Sequence, residues 1–352
     1  MNFSNINTEQ LKIGSNHPPF IIAEMSGNHN QSLERAMNIV DAAAAAGVNA
    51  IKLQTYTADT ITLDVNKSDF TINEQESLWK GQNLHDLYKL AYTPWEWHKP
   101  IMKRANELGL ICFSSPFDET SVDFLETLDV PIYKIASFEN NHLPLLRKVA
   151  ATGKPIIIST GMASLKELEE TVSTVKSAGC DKLILLKCTS NYPASPKDSN
   201  ILTIPDLRKR FDCQVGLSDH TMGLGVSIAA IAHGATVIEK HFTLDRNDGG
   251  VDSEFSMEPS EMSFLVTETK RAWQSLGEVK YGPTKSEESS LKYRRSLYIS
   301  QDIRSGEVLS EKNLRVVRPG FGLHPRYFEE LLGTKVLKDI KKGEALNWRH
   351  VK

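Results

Sequence analysis

Gln214-Val215-Gly216-Leu217-Ser218-Asp219-His220-Thr221, then a helical segment, then Thr236-Val237-Ile238-Glu239-Lys240-His241-Phe242-Thr243, reads as strand, helix, strand. Both strands begin apolar and turn polar at their last residues. Side chains two apart on a strand share a face, which pairs Ser218 with His220 and Glu239 with His241. If the strands are parallel neighbours, two imidazoles, a hydroxyl and a carboxylate converge at one end of a sheet. Such a group is expected to hold a divalent metal beside an anionic substrate.

The same beat runs through most of the chain. Strands are expected at Phe20–Ser26, Ala50–Tyr56, Leu110–Ser115, Ile132–Ser137, Pro155–Thr160, Lys182–Thr189, Gln214–His220 and Thr236–Thr243. Amphipathic segments lie between them, among them Ser32–Ala46, Trp95–Glu107, Ser121–Leu128, Leu165–Ala178 and Leu224–His233. Several close on Ala-Gly, Leu-Gly or His-Gly, a helix stop, and Asp118 and Ser164 suit N-caps. Eight such units with no Gly-x-Gly-x-x-Gly turn after the first strand favour a (β/α)8 barrel over an open doubly wound sheet. Chemistry then belongs at the strand C-termini, where the polar residues gather. The insertion Asp59–Thr93, long, charged and aromatic, is expected to be a lid or a substrate wall.

The barrel is expected over residues 1–278, with a short polar lead-in that forms a hairpin around Lys12-Ile13-Gly14-Ser15. Residues 279–293 read as a linker. Residues 294–352 read as a small β-rich domain in which Asp-Ile-x-x-Gly-Glu occurs at 302–307 and again at 339–344. At about sixty residues such a domain is near the lower limit for a free-standing core.

Composition narrows the function classes. A net charge of −3 gives no global attraction to nucleic acid or to an anionic membrane, so an anion must be gripped locally. The four cysteines Cys112, Cys180, Cys188 and Cys213 form no CxxC pair, which suits free thiols of a reducing compartment. No run of ~18 apolar residues spans a bilayer and no cleavable leader is seen, so a cytoplasmic protein is expected.

Individual residues carry the chemistry. Lys134 at the fourth strand and Lys52 at the second point inward, and a barrel interior rarely accepts an unpaired ammonium. Both read either as partners of a barrel carboxylate or as an anion grip, aided by the hydroxyls of Ser115, Ser137 and Ser159. Glu24 interrupts an apolar strand; it is either a partner for Lys52 or a general base whose strength that lysine sets. His29 reads as a hydrogen-bonding or packing group. Two imidazoles, His220 and His241, with water and substrate oxygens suit Mn²⁺, Fe²⁺ or a similar ion better than structural zinc. Asp252 reads from its spacing as a turn aspartate, with contact to substrate or metal as the other possibility. Trp95, Trp97 and Trp273 read as helix packing, and Arg318-Pro319-Gly320 as a rigid turn presenting a cation.

Taken together these stretches resemble the sialic acid synthase family. The match rests on Ile22-Ala23-Glu24-Met25-Ser26-Gly27-Asn28-His29, Ile51-Lys52-Leu53-Gln54, Phe113-Ser114-Ser115-Pro116-Phe117-Asp118 and Lys134-Ile135-Ala136-Ser137. It continues through Ser159-Thr160-Gly161-Met162, Cys188-Thr189-Ser190-Asn191-Tyr192-Pro193, Gly216 to Thr221 and Glu239 to Thr243. Within the family, Glu24 to Asn30 and Gly249 to Pro259 resemble the pseudaminic acid synthases most. Gly250-Val251-Asp252, Ser190 and Ser115 depart from the sialic acid pattern, which argues against N-acetylmannosamine as the sugar.

The resemblance implies condensation of phosphoenolpyruvate with an N-acetylated amino-sugar aldehyde and water, releasing phosphate and a nine-carbon 2-keto acid. It implies a divalent cation on His220 and His241, Mn²⁺ or similar, with Mg²⁺ or Co²⁺ as alternatives. Lys134, Ser137, Ser159, Ser190 and Ser218 would hold the phosphate end, with Ser115 and Lys52 nearby. Glu24, Gln54, Tyr192, Glu239 and Asp252 would shape the sugar side and the proton traffic. The tail resembles the family's antifreeze-like (SAF) domain. It implies a domain-swapped homodimer in which Arg318 reaches the sugar's N-acetyl group in the partner. The rivals are N-acetylneuraminate or legionaminate synthesis, and, in another class, a non-catalytic sugar-phosphate-binding protein.

Overall fold

The computed structural model describes residues 5–74 and 77–351; the first four residues of the lead-in and residues 75 and 76 of the insertion lie outside them. Eight parallel strands close into a barrel: β1 (Phe20–Glu24), β2 (Ala50–Thr55), β3 (Ile111–Pro116), β4 (Tyr133–Ile135), β5 (Ile156–Ser159), β6 (Leu183–Cys188), β7 (Gln214–Ser218) and β8 (Val237–His241). Neighbours in the chain are neighbours in the barrel, and β8 pairs with β1 to close it. The expected strands overrun these ladders by one or two residues at one or both ends, except that β3 runs on to Pro116, one residue past its expected end. The polar residues at their ends leave the ladder to build the loops. His220 therefore lies two residues beyond β7, whereas His241 is the last residue of β8.

Period-two alternation sorts each strand into two environments. Ile21, Ala23, Ile51, Leu53, Tyr133 and Ile135 face a belt of helices and join its core. That belt includes α1 (Leu33–Ala46), α2 (Trp95–Glu107), α3 (Glu119–Thr127), α4 (Leu143–Ala150), α5 (Leu165–Ser177), α6 (Thr203–Phe211), α7 (Gly225–Ala232) and α8 (Pro259–Leu276). The opposite faces fill the barrel with Phe20, Ile22, Ala50, Phe113, Ile132, Ile157, Ile184, Leu186 and Val237. Each strand thus runs from an apolar plug to a polar end.

Local chemistry sets the helix starts. Asp118 accepts the backbone N–H groups of Thr120 and Ser121, so α3 begins two residues before the expected Ser121. Ser164 and Glu167 form a capping box on α5. The lead-in hairpin pairs Ile6–Asn7 with Lys12–Ile13, so its turn precedes Lys12 and does not lie at Gly14-Ser15. Its Ile6, Leu11 and Ile13 are buried against the barrel plug, which makes it a floor and not a polar leader. Trp95 stacks on Phe124 at 4.7 Å, Trp97 meets His29 at 5.6 Å, and Trp273 donates to the Ser15 carbonyl.

The chain divides into two compact units, Met1–Gly277 and Glu278–Lys352. In the second, a two-stranded antiparallel ribbon, β9 (Ser296–Ile299) with β10 (Leu314–Val317), sits over a core of Leu297, Ile299, Ile303, Leu309 and Ile340. The sequence echo is a reciprocal clasp. Ile303 and Ile340 exchange both backbone hydrogen bonds, at 3.0 and 2.9 Å. Asp302 accepts the Lys342 N–H, and Asp339 accepts the Ser305 N–H three residues into the other copy.

Candidate active site

The polar strand ends line a cavity of about 900 Å³ at the C-terminal mouth of the barrel. Its floor is charged and buried. Lys52 Nζ lies 2.8 Å from Glu24 Oε2 and 3.6 Å from Glu239 Oε1, and Lys134 Nζ lies 3.9 Å from the same Glu239 oxygen. These four residues are at most 4% exposed, so each charge is set by its neighbours and hardly at all by solvent. Burial pushes the Glu24 carboxyl up; Lys52 opposes this only in part, and the Glu239 charge reinforces it. Burial acts on Glu239 too, but Lys134, Lys52 and His220 outweigh it and hold that carboxyl below its ordinary range. Lys52 keeps its proton against burial because Glu239 and Glu24 flank it, while burial brings Lys134 down. The floor thus holds one ionised carboxylate, one protonatable carboxyl, the Lys52 ammonium and a second lysine whose proton burial makes easier to lose.

Hydroxyls ring this floor. Ser137, Ser159, Ser190 and Ser218 line the cavity, and Ser159 Oγ is buried with no hydrogen-bond partner among the described residues. Gly161 makes their approach feasible: a Cβ there would stand 2.5 Å from Ser137 Cβ and 3.0 Å from Ser190 Oγ. Gly216 has the same role beneath them, where a Cβ would meet the Val237 carbonyl at 2.2 Å. Ser115 is placed differently from the expectation. It is fully buried, is not among the lining residues, and accepts from Lys52 at 3.1 Å, so it holds the lysine and does not face the cavity.

On the other side stand the two imidazoles, with ring centroids 5.4 Å apart. His220 directs Nδ1 at the Thr189 carbonyl (2.9 Å), which fixes the tautomer and leaves Nε2 as the nitrogen able to bind a ligand. Burial and the nearby His220 keep the His241 ring well below its ordinary pKa, and its Nδ1 is buried without a hydrogen-bond partner among the described residues. Two such nitrogens fit a divalent cation. Among the described residues no group of three or more His, Cys, Asp or Glu side chains is placed to hold a metal ion. Protein donors would thus be few, and open positions many.

A relay joins the carboxyls to this side. Gln54 donates to Glu24 (2.8 Å) and to Ser26 (3.0 Å), and Ser26 donates to Asp252. Ser26 takes φ of +46°, a left-handed conformation that costs a non-glycine residue ~1–2 kcal/mol. Asp252 lies 3.8 Å from His241 Nδ1, and burial raises its carboxyl, so it is built into the cavity wall and is more than a turn residue.

Two groups, one lining the cavity and one beneath it, escaped the sequence reading. Glu139, two residues past Ser137, lines the cavity and is raised to about 7 by burial. Cys188 ends β6 beneath Ser137, Ser190 and His220; against burial, His220, Ser137 and Lys134 bring its thiol down to about 6. All four cysteines are free and buried. Glu139 lies in the turn after β4, beyond the reach of strand alternation, whereas Cys188 follows Ile184 and Leu186 at period two and so shares their inward face. The insertion, its helical ends clipped by His85 and Asp59 at 2.9 Å, contributes Ile72, Leu78, Trp79 and Tyr88 to the wall. Arg318 is exposed in the C-terminal unit. Among the described residues no helix is long and apolar enough to cross a membrane.

Comparison with known proteins gives this geometry a family. Residues 39–281 match the NeuB family and residues 294–352 match the SAF domain. The chain is 45% identical over 349 residues to a pseudaminic acid synthase of Campylobacter jejuni, covering 98% of each chain. It is 41% identical to the pseudaminic acid synthase of Helicobacter pylori, covering 94% of this chain and 97% of that one. Among solved structures it resembles N-acetylneuraminic acid synthetase from Leptospira borgpetersenii in complex with citrate, with TM-score 0.73, 35% identity, and coverage of 82% of this chain and 95% of that one. A barrel with a lysine-lined floor, two facing imidazoles and a terminal SAF domain is thus accounted for by descent: the chain belongs to the NeuB family.

Proposed function

We propose that the chain is a pseudaminic acid synthase. It joins phosphoenolpyruvate to the open-chain aldehyde of a diacetamido-trideoxy-altrose, consumes water, and releases phosphate by C–O cleavage. One observation supports this most directly: a buried anion grip and two facing imidazoles open into one cavity, in a chain 45% identical to an enzyme of that name.

Lys52 and Lys134 bind the anionic end of phosphoenolpyruvate, with the hydroxyls of Ser137, Ser159, Ser190 and Ser218 oriented around it. Such preorganised donors stabilise charge as phosphate departs, and losing one costs about 10²–10³ in rate. The alkene carbon attacks the aldehyde, and Glu24, kept protonatable by burial, gives a proton to the oxygen that develops there. Glu239, held ionised, takes a proton from the water that adds at the phosphate-bearing carbon. Gln54, Tyr192 and Asp252 orient the sugar. His220 and His241 would hold a divalent cation, Mn²⁺ or a similar ion. When bound, it supplies Lewis-acid polarisation of the aldehyde oxygen.

The resemblance further implies a domain-swapped homodimer in which Arg318 meets the sugar of the partner. Four unpaired thiols suit a reducing cytoplasm. The decisive test is mass spectrometry of the product formed from phosphoenolpyruvate and a panel of acetamido sugars. A nine-carbon keto acid from the diacetamido-trideoxy sugar is expected; product from N-acetylmannosamine alone, or none, would overturn the reading.

A further inference from the structure

Trp79 carries the insertion to the aromatic group beside the histidine pair. Its ring centroid lies 5.9 Å from that of Tyr192, which in turn lies 4.5 Å from His220. Phe255, buried behind these rings, backs them at 5.3 Å from Tyr192 and 4.9 Å from His241. A sugar held by its aldehyde at the imidazoles must lay its remaining carbons along this aromatic wall, because the floor is taken by the anion. Trp79 also spends its only polar group: Nε1–H donates to the Val251 carbonyl at 3.0 Å, beside Asp252. What it presents to the cavity is therefore apolar ring.

We propose that Trp79 is a specificity-determining residue, through which the insertion selects a sugar whose far end is a methyl group over one ending in a hydroxymethyl. This rests on the reading of the chain as a synthase acting on a diacetamido-trideoxy sugar. A terminal hydroxyl set against the indole loses its water partner and gains none, whereas a methyl loses nothing. Thr71, Glu74 and Ser77 of the same insertion also line the cavity. An apolar surface discriminates against an added hydroxyl by about 10–100-fold.

The test is the ratio of kcat/KM for the diacetamido-trideoxy sugar to that for its terminal-hydroxyl counterpart, in the wild type, Trp79→Phe and Trp79→Gln. The ratio does not depend on the fraction of folded enzyme, so a poorly folding variant still reports. The wild type is expected to favour the deoxy sugar by about 10–100-fold. Trp79→Phe should keep most of that preference, and Trp79→Gln should reduce it by roughly fivefold or more. A wild type with no preference, or a Trp79→Gln ratio within about twofold of it, overturns the proposal while leaving the synthase reading intact. Failure of every acetamido sugar to react overturns that reading, and the proposal with it.

Discussion

Glu24 and Glu239 flank the same ammonium, that of Lys52, yet their pKa values are driven in opposite directions. Burial is common to both; what differs is that Glu239 also meets Lys134 and His220. Glu139 shows burial with weaker compensation. Its carboxyl is raised from 4.5 to about 7, so its contribution to stability is full below about 4.5 and is lost as pH rises through about 7. Glu139→Gln should therefore gain on the order of 2 kcal/mol over the wild type between pH 5 and pH 8. Urea unfolding at the two pH values measures this, and parallel pH slopes would contradict it. At the histidines, His220→Ala or His241→Ala should abolish turnover and weaken Mn²⁺ binding by isothermal titration, with the melting temperature little changed. Normal phosphate release after either change would remove the proposed metal role.

At the scale of the element, the strands that carry the histidines are clasped from behind. Asp219 and Lys240 alternate with the cavity residues, point away from it and form an ion pair at 3.0 Å with each side chain 1% exposed. Thr221 and Ser227 satisfy the remaining carboxylate sites, and Lys240 also donates to the Thr221 carbonyl. The pair thus ties the segment after β7 to β8 and to α7, with the two imidazoles on the other face. Removing one partner of a buried pair strands the other charge, which costs roughly 3–5 kcal/mol. Lys240→Met should lose that much in chemical denaturation, and Asp219→Asn with Lys240→Met should recover part of it. A loss below about 1 kcal/mol would mean the clasp is not needed to hold the strands together.

At the scale of the molecule, the chain is a large barrel unit and a small one with its own core. The smaller unit is held by its reciprocal Asp302 and Asp339 contacts, a local dyad that a short chain builds with little apolar area. If Arg318 binds the sugar of a partner subunit, Arg318→Ala should raise KM for the sugar roughly tenfold and leave that for phosphoenolpyruvate unchanged. Sedimentation of the wild type should show a dimer. Equal effects on both substrates would count against a role confined to the sugar.

Strand count, strand order and the polar ends of the strands were determined by the sequence alone, because alternation with period two and glycine stops are local signals. That is how Glu24, Lys52, Lys134, Glu239 and His241 could be read as facing one another before any coordinates. Ser115 and Glu139 were not legible in the same way: whether a residue at a strand end faces the cavity or supports a neighbour depends on how far its ladder runs. Only the tertiary structure decided the protonation pattern of the floor, since burial and the charges on adjacent strands set it. It alone also brought Trp79 to Tyr192, across 113 residues of chain. The insertion has no periodicity to announce its direction, and its place is dictated by packing against the β6 and β8 loops.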